Sequence, residues 1–222
     1  MTDVKSFQES VKKGDRAAVE AALADDPNLL DAKNDAGQSA FLLAMYYRQR
    51  EMADYLLSRN PNLDVFEECV AGLSERVMTR VRAHPEMLQA HSGDGWTPLH
   101  LAAFFGQTEL ANVLISDGAN VDARSTNAMK NTPLHAAAAG GQVETAKLLL
   151  TRGADPNAKQ EGGFTALHSA AQAGNRELIE LLLANGAHVN VRADNNQAPL
   201  DLALTKGHGE VAELLESLGA KF

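Results

Sequence analysis

Pairs of large apolar residues recur along the second half of the chain on a nearly fixed beat: Val113-Leu114, Leu148-Leu149, Leu181-Leu182 and Leu214-Leu215. Each pair lies in a short stretch with helical spacing of apolar positions, as from Glu109 to Ile115, and each stretch runs into a glycine. Those closing glycines head a second recurring mark, Gly118-Ala119-Asn120, Gly153-Ala154-Asp155, Gly186-Ala187-His188 and Gly219-Ala220-Lys221. Upstream of each leucine pair a shorter apolar stretch opens as Thr97-Pro98-Leu99-His100, Thr132-Pro133-Leu134-His135, Thr165-Ala166-Leu167-His168 and Ala198-Pro199-Leu200-Asp201. These openings are 35, 33 and 33 residues apart. A chain that repeats itself at this period is built from stacked supersecondary units.

Each mark has a physical reason. Thr97 is a good N-cap, and Pro98 suits the first helical position, where no amide donor is needed. Ala102 and Ala103 are small enough to let neighbouring helices approach closely, and Gly106 ends that helix in a left-handed conformation. Glu109 to Ile115 forms a second, amphipathic helix closed by Gly118. Val121-Asp122-Ala123 reads as an extended stretch leading through a turn into the next unit. Each unit is therefore two antiparallel helices and a projecting hairpin, and stacking supplies the apolar cover that one unit lacks.

The first 90 residues are less regular but in register. Gly14, Val19, Leu23, Pro27, Leu29-Leu30 and Ser39 have counterparts 58 residues on, at Gly72, Val77, Val81, Pro85, Met87-Leu88 and Thr97. Ser39 to Leu57 reads as a degenerate unit. It is 24 residues long by register, so its hairpin is expected to be missing, and a new helix is expected near Phe66.

The Thr-Pro-Leu-His and Gly-Ala-Asp/Asn marks resemble the ankyrin repeat family across residues 90–222. The resemblance implies an all-α solenoid of about seven stacked helix pairs with short β-hairpin fingers, curved, in one domain over residues 1–222. Its units fall near 5–38, 39–62, 63–96, 97–131, 132–164, 165–197 and 198–222, the first and last being caps. It also implies a non-catalytic module that binds a partner protein through its concave groove and hairpin tips.

Charge narrows the partner. The formal net charge is −9, from 29 acidic and 20 basic residues, with 16 acids and 11 bases before Thr97. No half is a basic module, so nucleic acid is not an expected partner. No apolar run approaches the ~20 residues that span a bilayer, so membrane insertion is not expected. The N-terminus lacks a basic stretch followed by an apolar one, so no secretory signal is expected. The single cysteine, Cys69, cannot form an internal disulfide. A cytoplasmic protein, monomeric in isolation, is the expectation, with Glu210, Glu213 and Glu216 giving the last unit a polar face.

Several residues look chemical. His100, His135 and His168 invite a metal reading, but packed helices lie about 8–10 Å apart, so equivalent histidines cannot share a tetrahedral ion. In the family this histidine hydrogen-bonds within and between repeats. His91-Ser92-Gly93-Asp94-Gly95 reads as a hairpin tip and Gly162-Gly163 as a turn, while Cys69 falls at a buried inner-helix position. No catalytic residue, metal site or cofactor is expected. An enzyme in the irregular N-terminal units would need a pocket near Tyr46, Tyr47 and Glu68.

The resemblance places partner contacts at the residue before the Thr and at the two residues after the Ala-Ala step. Six of the 11 aromatic residues occupy such positions: Tyr46, Tyr47, Trp96, Phe104, Phe105 and Phe164. Phe7, Phe41 and Phe66 fall at core positions. The loop before Thr132 is two residues longer than its neighbours and carries Met129 near its tip. Arg124, Lys130, Lys159 and Arg192 sit on successive hairpins, with Asp94, Glu161 and Asp194 among them. The candidate site is therefore Trp96, Phe104, Phe105, Tyr46, Tyr47, Met129, Phe164, Arg124 and Lys130. The alternative is a small anionic or phosphorylated ligand at the basic tips.

Overall fold

The computed structural model describes residues 3–221, and among them the only regular structure is helical. The chain divides into two compact units, one up to Ala71 and the other from Gly72.

The N-terminal unit holds α1 (Val4–Lys13), α2 (Arg16–Asp25), α3 (Ala40–Tyr46), α4 (Arg50–Ser58) and α5 (Val65–Ala71). Side chains fix the starts of four of them. Asp3, Asp15 and Ser39 accept the amides of Ser6, Ala18 and Leu42, which the first turn of a helix leaves unbonded. At α5, Asp64 Oδ1 accepts the amides of Phe66 and Glu67, while Asp64 N donates to Glu67 Oε2 at 3.0 Å, a reciprocal cap. Phe7 and Phe41 are buried to 1% exposure. Phe66 is not a core residue. It is half-exposed, because Val65, Cys69 and Val70 hold the buried positions of α5. No hairpin joins α4 to α5; the chain crosses directly through residues 59–64, turning at Asn60 with φ 56°.

The C-terminal unit holds α6 (Ser74–Ala83), then four helix pairs: α7 (Pro98–Phe105) with α8 (Thr108–Ser116), α9 (Pro133–Gly140) with α10 (Val143–Thr151), α11 (Ala166–Ala173) with α12 (Arg176–Ala184), and α13 (Pro199–Thr205) with α14 (Gly209–Ser217). The first helices of the pairs pack in a row, α7 on α9, α9 on α11 and α11 on α13. Helices α6, α8, α10 and α12 form a second row. Leu99, Leu134, Leu167 and Leu200 are buried along the inner row, Leu114, Leu149 and Leu182 along the outer one, and Leu215 on α14. Each such leucine contributes about 2 kcal/mol of apolar burial.

Small residues decide how close the inner row packs. Ala136, Ala137 and Ala138 are fully buried. A methyl group on Gly140 would fall 2.2 Å from the Phe104 carbonyl oxygen, well inside contact distance. The caps interlock as well. Gly106 ends α7 at φ 74°, and the Gln142 side chain occupies the space where a Cβ would stand.

The expected β-hairpin fingers are loops closed by turns. Ser92 N donates to Trp96 O, Ser125 N to Asn131 O, Gln160 N to Phe164 O and Ala193 N to Gln197 O. Among the described residues the sole β-bridge is Lys33 with Ser39, since arms this short carry too few pairs to make a ladder. Val121 and Asp122 are not extended either. Asn120 Oδ1 accepts Asp122 N and winds the segment into a turn. The loops instead bond tip to tip: Thr126 N to Gly95 O, Glu161 N to Met129 O and Asp194 N to Gly162 O, at 2.8–2.9 Å.

The recurring histidines tie each helix to the following loop. Thr97 N and the Thr97 hydroxyl reach His100 Nδ1 at 3.3 and 2.8 Å, and His100 Nε2 lies 3.0 Å from Asn131 O. A carbonyl cannot donate and a backbone amide cannot accept, so the ring is neutral with its proton on Nε2. His135 makes the same pair of contacts to Thr132 and Phe164 O, and His168 to Thr165 and Gln197 O. Burial pushes the pKa of His100 and of His135 down to about 4, and that of His168 in the same direction. In the last pair Asp201 takes the place of histidine, accepting Ala198 N at 2.8 Å and lying 3.6 Å from Arg192.

Two outcomes are expected. The unfolded chain binds protons at His100 and His135 below about pH 6.5, whereas the folded chain does so only near pH 4. Their stabilisation is therefore complete above pH 6.5 and lost as pH falls to 4, by about 3 kcal/mol for each of His100 and His135. Urea unfolding followed from pH 7.5 to 4.5 checks this, with a His100→Gln/His135→Gln variant less stable at pH 7 but flatter below it. Gly140→Ala should destabilise by about 1–3 kcal/mol through overpacking against Phe104 O, measured by thermal unfolding.

Candidate partner-binding face

Trp96 directly precedes the Thr97 cap of α7, and Phe104 and Phe105 are the last residues of that helix. Trp96 and Phe104 belong to opposite ends of α7, eight positions apart in sequence, and their rings reach each other. Trp96 and Phe104 lie 5.2 Å apart edge to face at 64°, and Phe104 and Phe105 lie 5.1 Å apart at 79°. The Trp96 ring also stands 6.1 Å from the buried His100 ring. All three aromatic side chains are half-buried. Edge-to-face pairs of this kind contribute about 0.5–1.5 kcal/mol each beyond their burial.

The backbone beneath the cluster is held from the next pair. Gln142 Nε2 donates to Phe104 O at 3.2 Å, and Gly140 lies close beside the same carbonyl. The rings thus stand on a support that the following helix pins in place.

Phe164 packs on His168 at 5.2 Å, edge to face, two pairs further on. Between them stands Asn131, 8% exposed, at the position equivalent to Trp96 and Phe164. Met129 is 49% exposed at the tip of the long loop. Its backbone is fixed on both flanks of that loop: Asn127 Oδ1 accepts Met129 N, Asn127 Nδ2 donates to Asp94 O, and Glu161 N donates to Met129 O. In the N-terminal unit Tyr46 is half-buried and Tyr47 is 53% exposed, with Lys12 Nζ 5.5 Å from the Tyr47 ring centroid.

The basic tips have structural partners. His91 Nε2 donates to Arg124 O, Arg124 Nη1 to Lys159 O, and Lys159 Nζ to Arg192 O, one side chain reaching forward per repeat. Arg124 also donates to Lys130 O of its own loop. Lys130 pairs with Glu161 at 3.0 Å, in solvent. These bonds join loops, and they do not gather cations around a space for an anion. Among the described residues, no group of three His, Cys, Asp or Glu side chains could hold a metal ion. Burial raises the Cys69 thiol pKa well above its ordinary value, the neighbouring Glu68 adding to the effect. Such a thiol is a core residue, not a nucleophile. Among the described residues no helix is long and apolar enough to cross a membrane.

Family models describing ankyrin repeats match the chain twice, one of three copies over residues 67–160 and one of many copies over residues 149–203. The chain belongs to the ankyrin-repeat family. Repeats of this family are in general protein–protein interaction modules and typically non-catalytic. No curated protein matches the chain as a relative.

The ankyrin models begin at residue 67, yet the N-terminal unit repeats the family's interlock. Gly14 is left-handed at φ 70° with the Gln49 side chain where its Cβ would be, just as Gln142 sits against Gly106. Of the residues singled out in this ankyrin-repeat protein, the structure gathers Trp96, Phe104 and Phe105 into one cluster. Met129, Lys130 and Arg124 share one loop, and Phe164 follows in the next pair. Sequence reasoning missed the forward-reaching basic side chains and the glutamines that follow the cap position. The signal was present in Arg48-Gln49, Gly106-Gln107 and Gly141-Gln142, on the same beat as the other marks.

Arg124→Met should lower stability by about 1 kcal/mol, because two carbonyl contacts are lost. Lys130→Met should leave it within about 0.5 kcal/mol, since that pair is exposed. Chemical denaturation of the two variants, with circular dichroism as the readout, separates these roles.

Proposed function

We propose that this ankyrin-repeat protein binds a partner protein through the face carrying Trp96, Phe104 and Phe105, with Met129 and Phe164 extending the contact. Tyr46 and Tyr47 of the N-terminal unit belong to the same reading, at the equivalent position after the inner helix of their own pair. The observation that carries it is the three-ring cluster itself: half-exposed, edge-to-face, and standing on a backbone that Gln142 and Gly140 hold still. Aromatic anchors of this kind dominate interfaces, contributing roughly 2 kcal/mol or more when desolvated. Their rigid support lowers the ordering cost of binding.

The test is a pull-down from lysate of the source organism, with wild type beside a Trp96→Ser/Phe104→Ser/Phe105→Ser variant shown by circular dichroism to be folded. The expected outcome is a protein captured by wild type and reduced at least tenfold with the variant, then confirmed with the purified pair. Equal capture by both baits would move the binding surface elsewhere.

A further inference from the structure

Asn131 stands out on this face because it pairs badly. Its side-chain oxygen is buried and has no hydrogen-bond partner, although the residue's backbone is fully used. Ser125 N and His100 Nε2 both donate to Asn131 O, and Asn131 N donates to Ser125 Oγ. An unmet acceptor in the interior is costly, and an apolar side chain of similar shape avoids that cost. The surroundings are specific. Trp96 and Phe164 stand at the same register one repeat to either side, and the Trp96 ring packs near the His100 ring that holds Asn131 O. On the helix beneath, Ala139 and Gly140 follow Phe104 and Phe105 by register. Asn131, Ala139 and Gly140 thus put small residues at the register positions that Trp96, Phe104 and Phe105 fill one repeat earlier, a low step to which Asn131 adds a hydrogen-bond acceptor.

We infer that this step receives an arginine side chain from an extended peptide segment of the partner protein, its guanidinium lying against the Trp96 and Phe104 rings and donating to Asn131 Oδ1. This rests on the protein-binding reading above. A rotamer change in Asn131, of the kind common on binding, brings its oxygen to the surface. Arginine fits better than the alternatives because it is planar, always charged, rich in donors and weakly hydrated, so that it stacks on aromatic faces while hydrogen-bonding at its edge. Lysine lacks the planar face, and leucine leaves the acceptor unmet. Charge agrees with this choice. The chain as a whole carries −9, and the cations on the neighbouring tips are already engaged, Arg124 and Lys159 on carbonyls of adjacent loops and Lys130 on Glu161.

The experiment selects a displayed library of random twelve-residue peptides on the wild-type protein and reads it by sequencing. Selected peptides are then measured by fluorescence polarisation of a dye on the peptide, against wild type, Asn131→Leu and the triple aromatic variant. The expected result is enrichment of arginine beside apolar residues, with binding at least tenfold weaker to Asn131→Leu and to the aromatic variant. Asn131→Leu should meanwhile unfold at the same temperature as wild type or a higher one, which separates lost recognition from lost structure. Binders that need the rings but carry no arginine, or that ignore Asn131→Leu, overturn the inference and leave the protein-binding reading standing. Binders indifferent to the aromatic variant overturn both. Failure to select any peptide also counts against the inference.

Discussion

The neutral imidazole buried between a threonine cap and the next loop is the interaction on which the C-terminal unit depends. One ring nitrogen closes the start of its own helix and the other crosses to the following repeat, so local helix formation and stacking are made by the same side chain. The ring serves only while uncharged. Protonation would set a donor against the Thr97 amide and place a cation in a site that burial has stripped of water. Catalytic or metal chemistry at these histidines would need a free nitrogen, and both are engaged. The change to Asp201 in the last pair is consistent with this division of labour. The carboxylate keeps the inward contact to Ala198 N and has no proton with which to reach outward.

Much of this was legible because each device depends on residue type at a fixed spacing. Thr97 to His100, the alanines of α7 and α9, and the glycine caps are all dictated by what can fit or bond locally, and a linear reading captures that. Phe66 was misplaced because which side of α5 faces inward is settled by Val65, Cys69 and Val70 packing against other helices. The extended reading of Val121 and Asp122 failed for a local reason: Asn120 can accept its own backbone two residues on, and the turn won over extension. Hairpin fingers were expected because an extended stretch was read as leading into each turn, but the segment winds at Asn120 and the loops cohere through bonds from one to the next.

The aromatic face shows the limits of pattern more clearly. Position alone marked Trp96, Phe104 and Phe105, and their mutual edge-to-face packing is what makes them one surface. The roles of the basic side chains could not be read from composition. Arg124 and Lys159 look like ligands for an anion in sequence and serve as struts between loops in the fold. Asn131 is one polar residue in a row of pre-threonine positions, and only its burial and its unmet oxygen together set it apart.

The forward-reaching bonds have a consequence for how the C-terminal unit comes together. The contacts from His100 to Asn131, from Arg124 to Lys159 and from Gln142 to Phe104 each span 31–38 residues of chain, about one repeat. Nothing in this set of contacts asks two distant segments to find each other, so loop closure is equally cheap at every junction. Folding can therefore begin at any adjacent pair and zip outward in both directions. An opening at one junction need not travel further than the next.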